Sequence, residues 1–119
     1  MSFEDGYDYD SFFENITEKI DGMYDPDLLW ITVEVGKYVL EIAADADTVS
    51  VSCLLDSASL SELEKFNGRG HIVFTLNEQR QLVARAIMPM RLGQGWDMLV
   101  EKEVLAAFRE LSVIVEALS

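Results

Sequence analysis

The segment from Trp96 to Leu118 constrains this chain most: Val100, Val104, Phe108, Leu111, Val115 and Leu118 fall on one stripe of a single long helix. A helix with one apolar stripe is stable only when another element covers that stripe. The rest of the chain must therefore supply a matching apolar surface, and its patterning points to a sheet.

Upstream, the apolar residues change period. Val49, Val51, Cys53 and Leu55 alternate with Ser50 and Ser52, which marks a strand with one buried face. Leu28 to Val35 and Tyr38 to Ala43 read as two further strands joined at Gly36-Lys37. Glycine at the first central position of a two-residue connection suits a type II′ turn. With the polar turn Ala44 to Thr48 before Val49 to Leu55, these strands form a three-strand meander. Strand four is read at His71 to Leu76, a polar turn at Asn77 to Arg80, and strand five at Gln81 to Met88, closed by Pro89.

Two more helices are expected. Phe12, Phe13, Ile16, Ile20 and Met23 recur at helical spacing, predicting a first helix from about Ser11 to Asp21. Asp10 or Ser11 would cap it, with Glu14 completing a capping box, and Gly22 with Asp25-Pro26-Asp27 would end it. Ser59 and Glu62 form a second capping box ahead of a short helix, Leu60 to Asn67. The order is helix, three-strand meander, short helix, two-strand hairpin and long C-terminal helix. This is an α+β fold with helices packed on a mostly antiparallel sheet. At 119 residues the chain is read as one domain, with residues 1–9 as an acidic leader.

Charge narrows the partners. The 22 Asp and Glu against 9 Lys and Arg give a net charge of -13, which repels phosphates and anionic lipid and favours basic or polar peptide segments. No nucleic acid and no stable membrane insertion are expected. No apolar run approaches the ~20 residues needed to cross a bilayer. A lone cysteine, Cys53, permits no internal disulfide and fits a reducing cytoplasm.

Catalytic chemistry has little to work with. Cys53 shares the inward register of Val49 and Val51 and reads as a core thiol. His71 is a lone imidazole without a second His or Cys at metal-ligand spacing. The acidic pairs Asp25 with Asp27 and Asp45 with Asp47 fall in turns, where Asp is favoured by bonding nearby backbone. The glycines of Asn67-Gly68-Arg69-Gly70 and Gly93-Gln94-Gly95 match no phosphate-binding fingerprint. No metal, no cofactor and no enzymatic activity are expected.

What remains is apolar surface that the core does not need. If Leu29, Ile31, Val33 and Val35 face inward, then Trp30, Thr32 and Glu34 face outward, joined by Val39 and Leu54. Adjacent Phe12 and Phe13 cannot share one narrow stripe. Such a patch rimmed by acids signals a protein-binding surface. Otherwise the leader covers Trp30, or the register is shifted by one. In strand five, Leu82, Ala84, Ala86 and Met88 alternate with Val83, Arg85 and Ile87, so both faces carry apolar groups, as in a two-fold homodimer.

The stretch HIVFTLNEQRQLVARAIMPM, followed by WDMLVEKEVLAAFRELSVIVEAL, resembles the paired strands and closing helix of the class I type III secretion chaperones. These are dimeric bacterial cytoplasmic proteins that hold effector segments before export. With the order of elements, the size and the acidity, the resemblance runs from Ser11 to Leu118. It implies a client-binding surface at Phe12, Phe13, Trp30, Val39 and Leu54. It further implies a dimer interface at Leu60, Leu63, Phe66, Val83, Arg85 and Ile87. The implied partner is an extended segment of a secreted effector polypeptide. A regulatory protein, held by an acidic adaptor without an export role, is the alternative.

Overall fold

The computed structural model describes residues 9–45, 47–55, 72–90 and 96–118. Within them the elements are α1 (Tyr9–Ile20), β1 (Met23–Asp25), β2 (Trp30–Val35), β3 (Tyr38–Asp45), β4 (Thr48–Leu55), β5 (Val73–Leu76), β6 (Leu82–Pro89) and α2 (Trp96–Leu118). The strands form one sheet in the order β1-β2-β3-β4-β6-β5, with every neighbouring pair antiparallel. The expected α+β class is correct. The short helix expected at Leu60 to Asn67 lies outside the described residues.

α2 spans the residues its periodicity predicts. Val100, Val104, Phe108, Leu111 and Val115 are buried, and Leu105, Ala107 and Ile114 widen the buried face beyond a single stripe. It crosses β2, β3, β4 and β6 and covers their inward side chains, Ile31, Leu40, Ile42, Val51, Cys53, Ala84 and Ala86 among them. Burial of this kind contributes roughly 25 cal/mol per Å² of apolar surface, so the contact between helix and sheet dominates the favourable side of folding.

α1 lies on the same face, between α2 and the β1–β2 end of the sheet. Asp10 and Ser11 are inside it rather than capping it, because the helix already includes Tyr9. Its C-terminus closes as a Schellman turn: Asp21 adopts a left-handed φ of 56°, and the Gly22 N–H donates to the Thr17 carbonyl at 3.4 Å. Gly22 then passes so close to β2 that a Cβ there would meet Ile31 Cγ2 at 2.8 Å, Val33 Cγ2 at 2.9 Å and the Thr32 carbonyl oxygen at 3.1 Å. Lys19 Nζ reaches Glu101 Oε2 at 2.8 Å, and Asn15 donates to the other oxygen of the same carboxylate, so α1 is tied to α2.

The chain after α1 departs from the reading in sequence. Met23 belongs to no helix; with Tyr24 and Asp25 it forms β1, which pairs with β2 from Met23↔Thr32 to Asp25↔Trp30. Leu28 and Leu29 are turn residues rather than the start of a strand. Asp25 organises that turn, its carboxylate accepting from the Asp27 N–H at 3.0 Å and its carbonyl from the Leu28 N–H at 3.3 Å. Leu29 then takes a left-handed φ of 51°. Strand pairing therefore begins at Trp30.

Elsewhere the turns follow their residue chemistry. Gly36 has φ 61° and Lys37 does not share the positive sign, the pattern of the expected type II′ connection. Between β5 and β6, Asn77 Oδ1 accepts from the N–H groups of both Gln79 and Gln81, while Arg80 sits at φ 61°. Pro89 is the last residue of β6, opposite Thr48, one position beyond the expected end of that strand.

Candidate functional site

Directly paired residues of antiparallel strands share a face, so the register fixes what the outer side of the sheet presents. Three rows cross it. Trp30, Ala43, Ser50 and Ile87 form one; Thr32, Glu41, Ser52, Arg85 and Val73 the next; Glu34, Val39, Leu54, Val83 and Thr75 the third. Acid and base occupy the middle row, and apolar groups flank them.

Trp30 faces outward, as strict alternation predicts, and is half-buried rather than open. It forms part of a groove of ≈ 370 Å³ lined by Met23, Tyr24, Asp25, Leu28, Trp30 and Thr32. Met23 and Leu28 are 78% and 60% exposed, leaving large apolar side chains in water beside the indole. The indole Nε1 is inaccessible and has no hydrogen-bond partner among the described residues. A buried donor without an acceptor costs about 1–3 kcal/mol, a cost carried inside the fold rather than on the groove's surface.

Val39 and Leu54 also face outward, 45% and 51% exposed, each one residue beyond the last β3–β4 pair, Leu40↔Cys53, and they line one depression. Their depression, ≈ 390 Å³, is a different one, lined also by Lys37, Tyr38, Glu41, Leu55 and Gln81. Lys37 Nζ lies 5.3 Å above the Tyr38 ring, a cation–π contact at its margin. Burial of the Glu41 carboxyl raises its pKa above the ordinary carboxylate value. Trp30 and Val39 belong to rows four residues apart along the sheet, about 13 Å. The structure thus places Trp30 and the Val39–Leu54 pair in two sites, not one.

Phe12 and Phe13 do not join either. Both are wholly inside the core, meeting edge to face with ring centroids 5.4 Å apart, and the expectation that one of them is exposed is wrong. Adjacent helical positions diverge by about 100°, but α1 is flanked by α2 on one side and β1–β2 on the other, so both directions are interior. Met23, Tyr24 and Leu28 take their place beside Trp30. Their only signal in sequence was apolar character next to the Asp25-Pro26-Asp27 turn.

On β6, Val83, Arg85 and Ile87 all point outward. Val83 is buried yet lies outside the main core cluster, Arg85 is exposed, and Ile87 is 59% exposed. Leu60, Leu63, Phe66, His71 and the glycines at 68, 70, 93 and 95 lie outside the described residues. Cys53 is buried, as its register predicts; its thiol is pushed up to about 11 by burial and by the negative charge of Glu41. Among the described residues, no three His, Cys, Asp or Glu side chains converge as metal ligands, and no helix is long and apolar enough to cross a membrane.

No protein-family model and no curated protein matches the chain. Among solved structures, the fold is similar to that of the Yersinia pestis type III secretion chaperone SycH, crystallised in complex with a stable fragment of YscM2. The TM-score is 0.59 at 13% sequence identity, over 94% of this chain and 100% of that one. The chain has the fold of a type III secretion chaperone. At this identity the likeness concerns topology, the path of one helix, an antiparallel sheet and a long closing helix, and leaves the role of each side chain to be argued from this molecule.

Proposed function

We propose that this chain is a bacterial cytoplasmic secretion chaperone that binds an extended, non-globular segment of a secreted effector or other exported client and keeps it competent for export. The observation that carries this reading is the open apolar groove at Trp30, beside the short edge strand β1. An exposed apolar concavity is a binding feature, and an extended chain can add its backbone to a sheet edge while its side chains enter such a concavity. The Val39–Leu54 depression would take a second part of the same client. The reading needs no cofactor and no catalytic step.

The chain acts as one domain over residues 1–119 and, in this reading, as a two-fold homodimer. Val83, Arg85 and Ile87 supply an outward strip for it, and Leu60, Leu63 and Phe66 are proposed as further interface residues on the resemblance alone. Co-expression with the proteins encoded by neighbouring reading frames, followed by size-exclusion chromatography, tests the proposal. An assembly of two copies of this chain with one secreted partner is expected. A lone monomer that captures none of them would overturn it.

A further inference from the structure

The chemistry around the Trp30 groove specifies its occupant more narrowly than apolar character does. Residues 21–35 contain Asp21, Asp25, Asp27 and Glu34 and no Lys or Arg. Asp25 lines the groove itself, and Asp27 is exposed in the same turn, next in sequence to the lining residue Leu28. The lining is mostly apolar, and the charge on the surrounding turn is of one sign.

Resting on the client-binding reading above, we infer that the groove selects an extended segment in which apolar side chains are flanked by Lys or Arg. Apolar side chains of the segment cover Met23 and Leu28. Its flanking cations meet Asp25 and Asp27. The chain's own first residues are a poorer occupant, since Glu4, Asp5 and Asp8 would be pressed against the same carboxylates.

Two synthetic peptides test this on the full-length chain, each alternating Leu with Ser, one bearing Lys at both ends and the other Glu. The Lys peptide is expected to bind about fivefold to tenfold tighter at low salt, a gap that closes as salt rises. The double substitution Asp25→Asn with Asp27→Asn should erase the gap, while asparagine at 25 still accepts the turn hydrogen bond. On binding, the fluorescence of Trp30, whose ring lines the groove, should change. Equal affinities, or a gap that survives the asparagine substitutions, would overturn the charge selection while leaving client binding intact. Failure of both peptides to bind would remove the groove as a client site altogether. A gain in peptide affinity on replacing Phe3→Ser and Tyr7→Ser would assign the groove to the chain's own N-terminal residues and overturn the inference.

Discussion

The ring of Phe13 stacks on that of Tyr24, centroids 5.6 Å apart and planes within 16° of parallel, so the first helix is locked to the first edge strand through the core. The Tyr24 hydroxyl donates to Asp10 at 2.6 Å and secures the same junction from outside. Phe13→Ala should therefore act on stability, costing about 3–5 kcal/mol as for other buried aromatic truncations. Urea denaturation would register it. A variant of wild-type stability with impaired client capture would instead return Phe13 to the binding surface.

Trp30 behaves in the opposite way. Trp30→Glu places a charge on the groove floor, next to Asp25, and should weaken client capture by at least about tenfold. Because Trp30 lies outside the main core cluster, the far-ultraviolet circular dichroism spectrum should be unchanged. Capture assayed beside the spectrum separates the two readings.

Gly22→Ala tests the tight passage between α1 and β2. The new methyl would press on two β2 side chains and on the Thr32 carbonyl oxygen, and backbone cannot step aside as a flexible side chain can. A loss of about 1–3 kcal/mol in chemical denaturation is expected, with the sheet retained.

The Cys53 thiol gives a signature of its own. Its pKa is raised from 9.0 to about 11, so below pH 9 it is neutral in both the folded and the unfolded chain. Between pH 9.0 and about 11 only the unfolded chain ionises, and folding stability falls across that window. At neutral pH, a thiol reagent should label Cys53 only after denaturation. Glu41→Gln removes the neighbouring charge and should lower the pH at which the thiol reacts. It should also stabilise the fold at neutral pH, because the Glu41 carboxyl, raised by burial, is ionised there at a cost, whereas at acid pH that cost is absent.

Much of this architecture is legible in sequence because the periodic signals are long. The stripe of α2 repeats over about five turns, and the alternation in β2, β4 and β6 fixes which side of each strand is interior, including the outward turn of Trp30. The three-residue strand β1 is too short to show any period. Leu29, read as part of a strand from its β-branched and aromatic neighbours, takes a left-handed conformation at the end of the Asp25 turn, which propensity cannot anticipate. Phe12 and Phe13 mislead for a tertiary reason: a helix contacted from two sides buries an arc that a single-stripe reading treats as divided. The groove escapes for the same cause, since Met23, Leu28 and Trp30 converge only once β1 folds back on β2.

Strand order carries one more consequence. β6 sits between β4 and β5, although it is the last strand made, and α2, which sheathes the interior, follows it. The inner faces of β2, β3, β4 and β6 are therefore closed off by an element far along the chain, which predicts one cooperative folding step rather than strand-by-strand assembly.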